Sequence, residues 1–300
     1  MYSMSSMSLR PVLSNCFVLM LWLALSGFTL SPSLIPRDQI LAGGPPKDGI
    51  PALSYPKMET SDAADRWLAD SDLVLGVVVD GLARAYPIRI LNWHEIVNDK
   101  IGNHAFVVTY CPLCGSGMVF DSADQFGVSG LLYQSDVLLY DRKTESLWSQ
   151  LMMQAVTGSR MGEKLVPMPI HHASWQAWKE THPQTMVLSR DTAYQRDYSR
   201  NPYVGYEASS ATYFPINHHD SRLHAKTWVL ALSMAGRHKA WPITRLIKQG
   251  THRERWGDIE LMFEIQGDSI VVKDAVSNQR LPATRLYWFA WSTFHPKTEL

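Results

Sequence analysis

Short apolar and β-branched runs, separated by turn residues, recur along most of the chain. Leu73–Val79 and the run from Ala83 to Ile90 flank the dipeptide Asp80-Gly81, a pattern typical of a β-hairpin. Phe126–Tyr133 and the run from Val137 to Arg142 are separated by three polar residues and predict a second pair of strands. The pattern therefore predicts an α+β fold that is β-rich, with mostly antiparallel sheets.

Helical patterns are few and short. The segment from Asp62 to Asp70 follows Ser61, a candidate N-cap, and predicts a short helix. A second helix is predicted from Trp175 to Glu180, and it ends before the dipeptide His182-Pro183. We therefore expect the helices to connect or cover sheets, without forming a helical domain.

A weak internal similarity relates residues 73–90 to residues 228–245. Each segment consists of an apolar run, a Gly turn, a second run and an aromatic-Pro pair, as in Ala85-Tyr86-Pro87 and Ala240-Trp241-Pro242. The pattern predicts an internal repeat of one hairpin unit. Chance similarity between two hairpins is the alternative.

The first 27 residues have the order of a secretory signal. Arg10 precedes an apolar run from Phe17 to Leu25, and Ser26 and Gly27 follow. The run is shorter than the roughly 20 apolar residues of a membrane span, so we expect cleavage and export to the periplasm or the extracellular space. An uncleaved segment that anchors the protein to a membrane is the alternative. Residues 28–50, rich in Pro and Gly, predict a linker, and residues 51–300 predict the folded domain.

The composition excludes some classes of partner. Lys and Arg total 28 residues, and so do Asp and Glu, so the formal net charge is zero. A neutral chain lacks the positive charge that nucleic acids and anionic lipid surfaces attract. We therefore expect no nucleic-acid partner, and contact with a membrane only through an uncleaved signal.

One Cys-x-x-Cys pair, Cys111 and Cys114, is the strongest candidate for chemistry. The other cysteine of the chain, Cys16, lies in the predicted signal. The pair follows the apolar run from Ala105 to Val108 and precedes Gly115-Ser116-Gly117, which predicts a turn between two strands. Two thiols on such a turn can bind a soft metal ion or form a disulfide.

A metal site needs ligands besides the two sulfurs. His94 is the leading candidate, because it precedes the cysteine strand by one connection, and Glu95 could orient it or act as a base. Two thiolates and one imidazole suit copper or zinc and leave a position open for substrate. The alternatives are a redox-active or structural disulfide and two ordinary reduced core cysteines. A thioredoxin-like site is disfavoured, because the glycines after Cys114 oppose a helix.

Four longer motifs resemble the DUF3179 family. They are Leu91–Asn98, Thr109–Gly115, Phe126–Tyr133 and Glu145–Gln150, and the likeness runs from about Asp48 to Phe294-His295-Pro296. The family name denotes a domain of unknown function. The resemblance therefore supports a domain over nearly all of the mature chain and implies no mechanism.

Together these patterns predict an exported protein whose site is centred on Cys111, Cys114 and His94, with Glu95 and both cysteines in catalytic roles. We expect a metal-dependent oxidoreductase or a metal-handling protein that uses copper or zinc and acts on an unidentified small molecule or redox partner. The alternative is a non-enzymatic binding or scaffold protein that contains a structural disulfide.

Overall fold

The computed structural model of the chain describes residues 27–300, and this part is β-rich, with 41% of residues in strands and 13% in helices. The predicted signal, apart from Gly27, lies outside the described residues. Within them, no helix has both the length and the apolar character that crossing a bilayer requires.

The strands, numbered in chain order, include several that are only two or three residues long. They are β1 (Ile40–Ala42), β2 (Leu53–Ser54), β3 (Met58–Thr60), β4 (Leu73–Val79), β5 (Leu82–Pro87), β6 (Ile96–Ile101), β7 (His104–Cys111), β8 (Ser116–Asp121), β9 (Phe126–Tyr133), β10 (Asp136–Asp141), β11 (Leu147–Ser149), β12 (Gln154–Ala155), β13 (Val166–Met168), β14 (His171–Ser174), β15 (Met186–Leu188), β16 (Trp228–Met234), β17 (Arg237–Pro242), β18 (His252–Trp256), β19 (Ile259–Gln266), β20 (Ser269–Asp274) and β21 (Thr284–Tyr287).

The helices are short, as predicted. They are α1 (Ser61–Ala64), α2 (Ile88–His94), α3 (Trp175–Thr181), α4 (Ile243–Gln249) and α5 (Trp288–Phe294). Helix α3 begins where the sequence predicts it, after Ser174, whose hydroxyl accepts a hydrogen bond from the Ala177 amide. Helix α1 is shorter than predicted, and its N-cap is Thr60 rather than Ser61.

The strands form five sheets that are mostly antiparallel. Their orders are β1-β9-β10-β11-β12, β13-β8-β7-β6-β2, β14-β4-β5-β15-β3, β17-β16-β21 and β18-β19-β20. The pairs β5–β15 and β2–β6 are parallel. The predicted β-rich fold with mostly antiparallel sheets is therefore confirmed.

The Asp-Gly hairpin forms as the sequence predicts. Asp80 and Gly81 both have positive φ, 49° and 77°, which is the type I′ geometry that follows the twist of the flanking strands. The hairpin β16–β17 turns in the same way at Ala235 and Gly236, and each hairpin leads through a proline into a seven-residue helix. The two units lie in different sheets, and the internal repeat stays a prediction.

Residues 28–50, predicted to be a linker, are partly built into the fold. Strand β1 pairs with β9, with Ile40 opposite Tyr133. Phe28 and Ile35 are buried in a cluster with residues of β9 and β10. The prolines and glycines indicated the turns of this segment, but the pattern did not reveal that its few apolar residues pack on the β9 sheet.

The largest core cluster contains both cysteines of the pair. It joins side chains from β8, β10, β16 and α5, such as Phe120, Leu139, Val229 and Trp288. The Cys-x-x-Cys turn thus lies where three sheets and a helix meet, and water is largely excluded from it.

A glycine in β4 permits close packing against helix α3. A Cβ atom added at Gly76 would lie 2.2 Å from the Trp178 ring, and that ring is buried. We expect Gly76→Ala to lower the free energy of unfolding by about 1–3 kcal/mol, because the ring has no space to move into. Urea unfolding measures the loss. In a Gly76→Ala/Trp178→Leu double variant the cost should be smaller than the sum of the single losses, whereas simple additivity would contradict the packing account.

Candidate metal centre

The cysteine pair lies on the connection between β7 and β8. Cys111 is the last residue of β7 and pairs with Ser116, the first residue of β8. The Cys114 amide donates to the Cys111 carbonyl at 3.2 Å, and Gly115 takes a φ of 63°, a conformation that favours glycine. The Tyr287 amide fixes the turn from outside by donating to the Cys114 carbonyl at 2.8 Å. Both cysteines are buried and neither forms a disulfide.

A second turn, between β9 and β10, meets the cysteine turn. Gln134 and Ser135 have positive φ, 54° and 65°, so the two residues form a tight hairpin turn. The Ser135 carbonyl oxygen lies 3.8 Å from the Cys111 sulfur and 3.4 Å from the Cys114 sulfur. Asp136 follows as the first residue of β10.

The two sulfurs and a carboxylate oxygen of Asp136 form a compact cluster. The three ligand atoms all lie within 4.8 Å of one another, and Asp136 and Cys114 are fully buried. Asp136 Oδ2 accepts from the Leu151 amide at 3.0 Å and from the Ser149 hydroxyl at 3.4 Å. Its Oδ1 has no hydrogen-bond partner among the described residues. A buried acceptor without a donor is costly, and either a proton on the carboxyl group or a bound cation would remove that cost.

Burial favours the protonated forms of Asp136 and Cys114 when no cation is bound. It raises the pKa of Asp136 to about 7, against the opposing effect of hydrogen bonds, that of the Leu151 amide being the largest. Burial also raises the pKa of Cys114 well above its ordinary value, and the neighbouring Cys111 adds to the shift. A metal ion would therefore displace protons when it binds here, so its affinity would rise with pH.

Glu95 lines a small pocket that reaches the cysteine turn. The pocket has a volume of about 130 Å³. Its walls include Glu95, Cys111, Val128 and Tyr203 and are mainly apolar. Glu95 ends helix α2 with a φ of 55°, and its pKa is raised to about 8, first by burial and then by the charge of Asp136. The predicted acid–base residue thus lies beside the pocket.

His94 does not join the cluster that the sequence predicted for it. Its Nδ1 lies 2.7 Å from the Pro51 carbonyl oxygen, which can only accept, so Nδ1 donates. Its Nε2 then accepts from the Tyr198 hydroxyl at 2.7 Å. Burial lowers the pKa of His94 to about 4, which keeps the ring neutral. Both ring nitrogens are engaged, and the side chain that stands beside the sulfurs is Asp136.

Asp136 is the residue that sequence reasoning missed. The hairpin pattern of residues 126–142 placed it at a turn between two strands. That pattern fixes which residues pair within the hairpin, but it does not indicate which other turn the hairpin approaches. No local signal connects Asp136 with cysteines more than 20 residues earlier in the chain.

A buried lysine and a buried tyrosine lie in the long loop between β15 and β16. Tyr206 packs in the same core cluster as both cysteines, and its hydroxyl has no partner among the described residues. The Lys226 ammonium lies 3.5 Å from the centre of the Tyr206 ring. It donates to the carbonyl oxygens of Tyr206, Ser209 and Ala211 at 3.0–3.1 Å. Lys226 therefore holds residues 206–211 against the core.

Removing this ammonium should destabilise the loop and the protein. In Lys226→Met three buried or half-buried carbonyls lose their charged donor, and we expect a loss of about 2–4 kcal/mol in urea unfolding. Lys248→Met, at an exposed position of α4, removes the same charge and serves as the control. Equal stability of the two variants would mean that Lys226 does not fix the loop.

The fold and the site define a class: a β-rich protein with a buried dithiol–carboxylate centre beside an apolar pocket. The model of the DUF3179 family, described as a protein of unknown function, matches residues 47–280, most of the chain. The chain therefore belongs to the DUF3179 family, as its motifs indicated. Comparisons with curated proteins and with solved structures give no match.

Proposed function

We propose that this protein binds one zinc ion through Cys111, Cys114 and Asp136. The observation that carries the proposal is the convergence of the three ligand atoms within 4.8 Å, together with the unpartnered Oδ1 of Asp136. Zinc accepts thiolate sulfur and carboxylate oxygen in one tetrahedral shell. Copper(I) prefers soft sulfur donors, so the carboxylate favours zinc over copper.

Three protein donors favour a catalytic zinc site over a structural one. Structural zinc sites usually have four protein ligands, whereas catalytic sites keep one position for water or substrate. Cys111 lines the pocket. A small molecule in the pocket would therefore be able to reach the open coordination position of an ion bound at the cysteines. Glu95 lines the same pocket. It lies near enough to Asp136 for the charge of that carboxylate to raise its pKa.

This arrangement supports Lewis-acid chemistry on a small, mainly apolar substrate. Zinc polarises a carbonyl group or activates a water molecule. Glu95, which lines the same pocket as Cys111, is the group that would take up or deliver the proton. A pocket of about 130 Å³ with apolar walls accommodates a group of only a few heavy atoms. We therefore favour a zinc-dependent enzyme over a protein that only carries metal.

The second candidate function is thiol–disulfide exchange. Its specific support is the asymmetry of the pair, since Cys111 lines the pocket whereas the Cys114 side chain is fully buried behind it. In that case Cys111 would attack a disulfide of a partner and Cys114 would release the product, leaving a Cys111–Cys114 disulfide and a reduced partner. A structural disulfide in a binding or scaffold protein is the third outcome of the test below.

Export belongs to the same proposal. The signal-like order of the first 27 residues would direct the protein to an oxidising compartment. A bound ion would there keep the two thiols from forming a disulfide, because thiolates held by zinc are less available for oxidation. Cell fractionation with an antibody to the protein tests this part.

Metal content and thiol state of the purified protein distinguish the candidates. We expect one equivalent of zinc per chain by elemental analysis, and two thiols that react with a thiol reagent only after a chelator removes the metal. A metal-free protein with a reversible Cys111–Cys114 disulfide would support exchange chemistry. A metal-free protein whose disulfide resists reductant until it unfolds would support the scaffold.

A further inference from the structure

A wide, open cleft lies where β3, α1 and the start of the long loop after β15 meet. Its volume is about 910 Å³. Five of the side chains that line it are basic and three are acidic; the basic ones are Lys57, Arg66, Arg89, Arg190 and Arg196. In a chain with zero net charge, this cleft is a local concentration of positive charge.

The acidic residues of the cleft are already engaged. Asp191 forms an ion pair with Lys57 at 2.9 Å, and Glu59 accepts a hydrogen bond from the Ser189 hydroxyl at 2.9 Å. Asp197 accepts hydrogen bonds from the amide and the hydroxyl of Ser199. The donors to Glu59 and Asp197 are neutral, so these two carboxylates keep their charge, and the lining carries five positive and three negative side chains.

Three arginines of the cleft have no carboxylate partner among the described residues: Arg66, Arg190 and Arg196. The Arg190 guanidinium lies 4.9 Å from the ring of Trp67, and that of Arg196 lies 5.9 Å from the ring of Trp93. Stacking on an aromatic face orients a guanidinium while its N–H edge stays free to donate. Arg89, by contrast, is held by Asp72 at 2.8 Å.

We propose that this cleft binds an oxyanion group, a phosphate or a carboxylate, of a small molecule. Planar guanidinium groups donate two parallel hydrogen bonds to such oxygens. Three of them around one cavity, none paired with a carboxylate among the described residues and in a lining with an excess of two positive charges, form a candidate anion site. The cleft can hold a considerably larger molecule than the pocket at the cysteines can.

A chain of neighbouring residues links the cleft with the pocket at Cys111. Tyr198 lines the cleft, and its hydroxyl donates to His94 Nε2 at 2.7 Å. His94 is followed in the chain by Glu95, which lines the pocket at Cys111. The anion site is nevertheless a separate inference, because none of its arginines takes part in the cysteine cluster.

Calorimetry with pyrophosphate tests the site on the full chain at low ionic strength, after a chelator has removed bound metal. We expect one binding site, and about tenfold or greater weakening in Arg190→Gln and in Arg196→Gln. Arg245→Gln, at an exposed position of α4 outside the cleft, removes the same charge and should bind as the unaltered protein does. Citrate, tested in parallel, identifies a carboxylate ligand if it binds more tightly.

Two results would overturn the inference. One is the absence of binding by both pyrophosphate and citrate. The other is equal weakening in all three variants, which would show a general effect of net charge. Because the measurement uses metal-free protein, it is independent of whether the cysteines bind zinc.

Discussion

An Asp136→Asn variant is expected to lose its zinc, and a His94→Gln variant is expected to keep it. Asparagine nearly matches aspartate in shape, and its amide oxygen can still accept from the Leu151 amide as Asp136 Oδ2 does at 3.0 Å. Its NH₂ group would then replace the unpartnered Oδ1 and cannot coordinate a cation. We expect affinity to fall at least about 100-fold, because changes to groups that only support a ligand already cost 10–100-fold.

His94→Gln is the matched control, since it alters a buried polar residue near the same pocket. In the unaltered protein the two ring nitrogens of His94 form hydrogen bonds with Pro51 and Tyr198, and not with the sulfur cluster. Competition with a chromophoric chelator measures the affinity of each variant. If His94→Gln lost zinc while Asp136→Asn retained it, the ligand set predicted from the sequence would be correct and the cluster with Asp136 would not bind metal.

In the metal-free protein, the buried carboxyls of Asp136 and Glu95 are expected to contribute less stability as pH rises from about 5 to about 8. The pKa of Asp136 is raised to about 7 and that of Glu95 to about 8 in the folded protein. In the unfolded chain both carboxyls have ordinary values near 4. On these two groups the folded state therefore holds more protons than the unfolded state, so their contribution to the free energy of unfolding falls as pH increases. Buried histidines, among them His94 with its pKa lowered to about 4, act in the opposite direction below about pH 7. The two groups together should contribute on the order of a few kcal/mol.

Urea unfolding at several pH values, with chelator and reductant present, measures the slope of the free energy of unfolding against pH. Glu95→Gln should make the change in stability with pH less negative than in the unaltered protein, most clearly between pH 6 and pH 8, because the amide does not ionise. Glu180→Gln, at an exposed position of helix α3, should leave the slope unchanged. The same pH dependence in Glu95→Gln and in the unaltered protein would show that Glu95 ionises readily where it lies.

Local features of the fold could be predicted from the sequence because local energetics fix them. The dipeptide Asp80-Gly81 satisfies a type I′ turn whatever surrounds it, and Ser174 caps helix α3 with its own hydroxyl. The position of Cys111 and Cys114 on a turn between strands follows equally from the apolar run before them and the glycines after them. These interactions involve residues close together in the chain.

The partners of the cysteines could not be predicted in this way. Asp136 reaches them because the β9–β10 turn meets the β7–β8 turn, and the strands concerned belong to different sheets. The sequence favoured His94 because it lies only one connection before β7. Its neighbours in space are instead Pro51 and Tyr198, which hold both ring nitrogens. Packing between sheets depends on side chains far apart in the chain, and their pattern carries no local signal.

X-ray absorption at the zinc edge of the purified protein tests the dithiol–carboxylate centre most directly. The proposed centre predicts two sulfur neighbours at about 2.3 Å and one or two oxygen neighbours at about 2.0–2.2 Å. The two sulfurs should disappear from the spectrum in a Cys111→Ser/Cys114→Ser variant. A zinc ion surrounded only by oxygen and nitrogen in the unaltered protein, or no zinc at all, would contradict the assignment.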